Sequence, residues 1–164
     1  MHLNIRHAST DDVESLCILL NQIINIGGST AREIPLTQQE FSRCFLNGSA
    51  VICCLVAYDT QNKLWGFQAL LRHEKLDSDC ADISTFAQQN PVKRGVGTAL
   101  FAATSKYALD MGFQSINATI RKDNQSGLAY YTKMGFEDHA VTKDIPLIDG
   151  TLVDRISKRI ILKN

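Results

Sequence analysis

Two stretches of this 164-residue sequence hold residue types whose order suits work on a phosphorylated ligand. The first is Val92-Lys93-Arg94-Gly95-Val96-Gly97-Thr98-Ala99-Leu100, a basic, glycine-bearing turn leading into an apolar helical pattern. Helix starts leave N–H groups unpaired and carry partial positive charge, so a phosphate can settle there if glycines let it approach the main chain. Lys93 and Arg94 add charge at the same point. The bland alternative is a loop that only reverses the chain. Two nucleotide fingerprints are excluded, because GxGxxG would need glycine where Leu100 stands and no GK[ST] follows for a P-loop.

The second stretch is Asn124-Gln-Ser-Gly-Leu-Ala-Tyr130-Tyr131-Thr-Lys-Met-Gly135-Phe136. On an α-helix the spacing puts Asn124 and Tyr131 on one face, roughly 10 Å apart along the axis, where both can address one ligand. Asn124 can offer its amide to that ligand or cap its own helix, and the two roles can coexist. The Tyr131 phenol can donate a proton to a leaving group or stabilise its charge; otherwise it is a core tyrosine with its hydroxyl at the surface. Tyr130 lies about 100° further round the helix and is read as packing. Upstream, in CADISTFA (80 to 87), Asp82 and Ser84 share a strand face. Asp82 is a base candidate for deprotonating an amine, against a solvated or ion-paired aspartate, with His73 or Glu74 as alternatives.

The elements that must position these groups follow from pattern. HLNIR (2 to 6) reads as a strand, and Ser9 to Asp12 offers capping groups to a helix through Val13, Leu16, Cys17, Leu20 and Ile24 that stops near Gly27-Gly28. An irregular segment to Pro35 precedes a second helix, with a capping box at Thr37 and Glu40. AVICCLVAY (50 to 58), LWGFQALL (64 to 71) and CADISTFA (80 to 87) read as strands. A helix follows from about Gly95 to Met111 with apolar positions at 96, 100, 103, 107 and 111. SINATIR is a strand, NQSGLAYYTKM a helix, and FEDHAVTKDI and TLVDRISKRIIL closing strands. The order predicts an α+β fold, a mixed and largely antiparallel sheet with helices on both faces. At this length one domain, residues 1–164, is the expectation.

Strand, basic-Gly-x-Gly turn and helix resemble motif A of the GNAT superfamily of N-acetyltransferases, whose usual form is Gln/Arg-x-x-Gly-x-Gly/Ala. Residues 92 to 97 match at both glycines but carry Val92 in place of the glutamine or arginine, and Lys93 where glycine is common. Asn124 to Phe136 resembles motif B of the same superfamily. The resemblance implies a GNAT fold, acetyl-CoA as cosubstrate and no metal. It also implies main-chain contacts from Val92, Lys93, Arg94, Gly95, Val96, Gly97 and Thr98 to the pyrophosphate. Main-chain groups of Thr85, Phe86 and Ala87 would meet the pantetheine arm, as would the Asn124 amide, while Tyr131 would face the sulfur.

Asp82 stands where the phosphinothricin-acetyltransferase-like branch often has glutamate, and a diffuse likeness to that branch covers nearly the whole chain. That likeness implies an N-acetyltransferase of small molecules, transferring acetyl directly to the amino group of an amino acid or analogue, with Tyr131 as general acid and Asp82 as base. Arg32, Arg72 and His73 are candidates for a substrate carboxylate. A homodimer through the closing strands is implied by the family alone. The alternatives are an acyl-CoA-binding sensor of the same fold, or an unrelated nucleotide-binding α/β domain.

Bulk properties narrow the partners. Seventeen basic residues balance seventeen acidic ones, so no global field favours nucleic acid or an anionic membrane. Cys17, Cys44, Cys53, Cys54 and Cys80 show no CxxC spacing and fit reduced thiols in a cytoplasmic protein. No signal-peptide core and no apolar run of membrane-spanning length is present. Three Asn-x-Ser/Thr matches are read as chance.

Overall fold

The computed structural model describes residues 2–163. In chain order it comprises β1 (Leu3–His7), a 3₁₀ turn (Thr10–Asp12), α1 (Val13–Ile26), α2 (Gln38–Phe45), β2 (Val51–Asp59), β3 (Leu64–Leu71), β4 (Cys80–Ala87), α3 (Val96–Asp110), β5 (Ser115–Arg121), α4 (Gln125–Lys133), β6 (Glu137–Pro146) and β7 (Leu152–Ile161). The seven strands form one sheet in the order β1-β2-β3-β4-β5-β7-β6. Every neighbouring pair is antiparallel except β4 with β5. The predicted α+β architecture is what forms.

Local chemistry accounts for the helix starts. Ser9 and Asp12 make a capping box, and the Asp12 carboxylate also takes two bonds from the Arg6 guanidinium at 2.8 Å and one from the Tyr58 hydroxyl at 2.9 Å. That cluster ties β1 and β2 to the start of α1 and holds the Asp12 carboxyl far below the usual carboxylate range, chiefly through Arg6. Thr37 and Glu40 form the expected box on α2, with the Glu40 carboxylate accepting from Thr37 N–H at 2.8 Å.

The helices divide between the two faces. On one, α1 and α2 cover Val56, Phe67 and Phe86, and the rings of Phe41, Phe45, Phe67 and Phe86 pack with centroids 4.9 to 5.8 Å apart. Pairs at such spacing add about 1 kcal/mol each beyond burial. On the other, α3 and α4 cover Ile83, Ile116 and Ala118 with Leu100, Tyr131 and Phe136. Cys53 and Cys54 lie inside the sheet, where burial pushes their thiols up to about 11 and about 12, so they behave as small hydrophobes.

Helix α3 departs from expectation in its facing. Its buried residues are Val96, Leu100, Phe101, Thr104 and Ala108, while Met111 is 55% exposed and Ala103 and Tyr107 are half-buried. Phe101, large and adjacent to Leu100, is buried on this face with its ring tilted at 53° to Phe136 and the centroids 5.4 Å apart.

The feature that matters most for function is a parting of the sheet. β4 and β5 pair at Cys80↔Ser115, Ala81↔Ile116 and Asp82↔Asn117 and nowhere further along. β4 runs on beside β3 to Ala87, and β5 runs on beside β7 to Arg121. An opening is left between the outer halves of the two strands.

Candidate active site

Main-chain groups line one side of this opening. Gln88 N–H donates to the Trp65 carbonyl at 2.9 Å, which fixes the phase of the antiparallel β3–β4 ladder. By alternation Ser84 and Phe86 turn their N–H and C=O toward β3, whereas Thr85 and Ala87, beyond the last β4–β5 pair, turn theirs to the opening. Of the three residues expected to meet a ligand through the main chain, Thr85 and Ala87 therefore have free groups. Phe86 has its groups turned into the ladder and its ring in the aromatic cluster of the α1/α2 face.

The start of α3 stands near the open end. Gly95 is its N-cap with φ +86°, a left-handed conformation in which glycine is favoured, and open space surrounds the position a Cβ would take. The first bond to a helix carbonyl is Ala99 N–H to Gly95 O at 2.9 Å, so the N–H groups of Val96, Gly97 and Thr98 have no helical acceptor. Gly97 is small for another reason, since a Cβ there would meet the Tyr130 ring at 2.6 Å. The side chains here contribute less than the sequence suggested. Lys93 reaches away to the Asp59 carboxylate at 3.3 Å and lies 4.4 Å from the Trp65 ring centroid. Arg94 and Thr98 are exposed, Val92 is 71% exposed with no polar group to offer, and the Val96 side chain is buried in the core.

Tyr131, on α4, is buried with its ring against Tyr130 and Phe136, and its hydroxyl lies 2.9 Å from Thr85 Oγ1. Burial raises the phenol well above its ordinary value of 10.0, against a downward pull from the Thr85 hydrogen bond and with smaller upward pushes from Tyr130 and Asp82, so it remains protonated at neutral pH. Tyr130 is more than packing: its hydroxyl donates to the Gly97 carbonyl at 2.8 Å and accepts from Gln68 Nε2 at 3.0 Å.

Asp82 projects from the opposite face of β4. Its Oδ1 accepts from Asn117 Nδ2 at 2.9 Å, and Asn117 Oδ1 accepts from Ser157 Oγ at 2.6 Å, leaving Oδ2 outside that chain. Burial raises the carboxyl above its ordinary 3.8, against a downward pull from Asn117 and His73. Such a group takes up protons more readily than a surface aspartate.

Asn124 caps α4 through Oδ1, which accepts from Gly127 N–H at 2.9 Å. Its Nδ2 donates to the Ser29 carbonyl at 3.1 Å, so the amide expected to meet a ligand also fastens the segment between α1 and α2. That segment is held at further points by Gln89 to Ser29 Oγ at 3.1 Å and Arg121 to the Thr30 carbonyl at 3.4 Å. The carboxylate candidates divide: Arg32 lies over the Phe45 ring, Arg72 over Phe113 near the paired end of β4 and β5, and His73 is exposed.

Gln68, Asn117 and Ser157 were not singled out from sequence. Gln68 had a signal, being the one polar side chain in LWGFQALL. Asn117 and Ser157 had none, because their meeting depends on the β5–β7 register.

These groups suit acetyl-CoA. Open space at Gly95, free amides at the head of α3 and unpaired main-chain groups on β4 match a diphosphate followed by an amide-bearing arm, with a phenol where the arm would end. The acetyltransferase (GNAT) family profile matches residues 22–136. No curated protein matches the sequence. Among solved structures the fold is similar to a GNAT superfamily phosphinothricin acetyltransferase from Sinorhizobium meliloti in complex with acetyl-CoA, at 19% identity over 99% of this chain and 89% of that one, with a TM-score of 0.85. It is also similar to an N-acetyltransferase from Staphylococcus aureus Mu50, at 15% identity over 99% and 100% of the two chains and a TM-score of 0.85. A third is a ribosomal-protein-alanine N-acetyltransferase from Brucella melitensis, at 19% identity over 97% and 99% and a TM-score of 0.84. At these identities the structural likeness concerns the fold. Because the profile spans well over half of the chain, including both the glycine turn and the Tyr131 helix, the protein belongs to the GNAT family of acetyltransferases.

Proposed function

We propose that the protein moves an acetyl group from acetyl-CoA directly to the amino group of a small amino-acid-like molecule, with the thioester lying in the opening between β4 and β5. The observation that carries this reading is the parting of those strands after Asp82↔Asn117, together with a protonated phenol reaching Thr85 from the α4 side. The amides of Val96, Gly97 and Thr98 hold the pyrophosphate, and Thr85 and Ala87 pair with the pantetheine arm as a neighbouring strand would.

Asp82 serves as base from the other face, taking a proton from the ammonium directly or through water so that a lone pair is free to attack. The new C–N bond forms as the C–S bond breaks, and Tyr131 donates to the departing sulfur. With burial holding its pKa above 10.0, beside a thiol of ordinary pKa about 8.5, the phenol stabilises negative charge chiefly by hydrogen bonding. The ammonium loses two protons in all: one balances the thiolate, which leaves as thiol, and the other passes to solvent.

The test is thiol release from acetyl-CoA with free amino acids, their analogues including phosphinothricin, and polyamines. One class of primary amine should support turnover. Tyr131→Phe should lower kcat about tenfold to a hundredfold, the worth of one hydrogen bond to a charged group, with acetyl-CoA affinity retained. Equal turnover in the two proteins refutes the role of Tyr131, and turnover with no amine in the panel refutes the acceptor class.

A further inference from the structure

We propose that Gln68 is a positioning residue: it sets the direction of a buried hydrogen-bond chain so that the Tyr131 phenol proton is left free for the ligand sulfur. The inference rests on the reading of Tyr131 as donor given above, and it identifies what in this chain makes that phenol a donor.

Gln68 is fully buried on β3, opposite Thr85 and on the same face of the sheet. Its Nε2 lies 2.9 Å from Thr85 Oγ1 and 3.0 Å from the Tyr130 hydroxyl. Which way each proton points follows from the fixed end of the chain. The Gly97 carbonyl can only accept, so the Tyr130 hydroxyl, 2.8 Å away, donates to it. That hydroxyl then has only lone pairs to turn toward Gln68, which must present its NH₂ and not its carbonyl. The amide holds this orientation although its Oε1 is left with no hydrogen-bond partner among the described residues. The second N–H of the same NH₂ group goes to Thr85 Oγ1.

Thr85 Oγ1 is thereby an acceptor from Gln68, and its own proton has the Tyr131 oxygen at 2.9 Å as its partner. Were Tyr131 to donate to Thr85 instead, the threonine proton would be left unpaired beside a buried amide. Either polarity leaves one hydroxyl proton over; running Gln68 to Thr85 to Tyr131 leaves the phenol's, which a bound ligand can accept, and not the threonine's, which would face the Gln68 NH₂ group. The same amide joins the opposite end through Tyr130 to Gly97 at the head of α3, so one side chain sets both ends.

The experiment is a pH titration of the thiol of bound coenzyme A, followed by the ultraviolet absorbance of its thiolate, which needs no acceptor amine. A phenol proton aimed at sulfur lowers that thiol's pKa. Tyr131→Phe should raise it by about one unit, a tenfold change in the acid constant. Gln68→Met, similar in length and unable to hydrogen-bond in this way, should raise it to the Tyr131→Phe value and have no further effect when combined with Tyr131→Phe. Should Gln68→Met not fold, Gln68→Leu serves: it is uncharged and unable to hydrogen-bond, so it frees Thr85 to accept the phenol proton without adding a charge of its own, and the same rise is expected. A Gln68 variant that leaves the thiol pKa at the wild-type value, while Tyr131→Phe raises it, overturns the Gln68 assignment alone. A further rise when the variant is combined with Tyr131→Phe does so too. If Tyr131→Phe itself leaves the thiol unchanged, the donor reading falls and this inference falls with it.

Discussion

Substituting Gly97 by alanine tests whether the second glycine of the turn serves the ligand or the protein's own packing. A Cβ at this position would stand 2.6 Å from Tyr130 Cε2, 3.1 Å from Cζ and 3.3 Å from the hydroxyl. The ring has little room to retreat, being pinned by bonds to the Gly97 carbonyl and to Gln68 and packed edge-on to Tyr131. Forcing an extra methyl group into such a contact costs about 1–3 kcal/mol. Against this, alanine is the better helix former by about 1 kcal/mol. The net expectation is a destabilisation of up to about 2 kcal/mol, or up to roughly 8 °C in Tm for a chain of this size. Urea unfolding of Gly97→Ala measures it directly. Tyr130→Leu provides the control, because with the ring gone only the helix term remains and Gly97→Ala should then stabilise by up to about 1 kcal/mol. Gly97→Ala more stable than wild type, or the same change in both backgrounds, refutes the packing account.

Three further outcomes follow from the site and its supports. Since the Asp82 carboxyl is raised above 3.8 by burial, kcat/KM should climb with pH through a step above that value; Asp82→Asn should abolish the step and cost about a hundredfold, and an unchanged profile would assign the base elsewhere. Asn124→Ala removes the cap of α4 and the tie to Ser29, so it should cost about 1–2 kcal/mol in urea unfolding and speed amide exchange in the 27–36 segment, whereas exchange confined to α4 would show the tie to be unimportant. Asp12 has a folded pKa below its ordinary 3.8, so its contribution is complete above that pH and fades as the pH falls toward the folded value. Asp12→Asn should therefore lose about 1–2 kcal/mol near neutrality, solvent screening at the half-exposed Arg6 keeping the loss below that of a buried pair, and its stability should change less with pH below 4 than the wild type's.

Elements whose two neighbours in sequence decide them were readable in advance. The strands at 64–71, 80–87 and 115–121 and the capping box at Thr37 came from alternation, β-branched content and side-chain oxygen spacing, all local properties. The glycine turn and the Asn124 to Phe136 stretch were likewise visible, because a helix start and a helical face are short-range objects. What escaped is set by contacts between distant strands. Lys93 looked like a phosphate ligand until Asp59 and Trp65 arrived from the β2–β3 hairpin, and Tyr130 looked like filler until Gln68 and Gly97 met its hydroxyl. Phe86 was placed correctly on its strand, yet only the ladder phase shows which way its amide points. The facing of α3 is not local either: Phe101 and Thr104 are buried in preference to Tyr107 and Met111 because Phe136 and the sheet lie on their side.

The parting of β4 from β5 also has a mechanical meaning. One blade of the sheet holds β1 to β4 and the other holds β5 to β7, and the seam between them is stitched at three residue pairs. A guest whose amides knit to the bare flank of β4 would act as a further stitch, stiffening the seam and resisting shear between the blades. Loading and release would then register as tightening and slackening along this line.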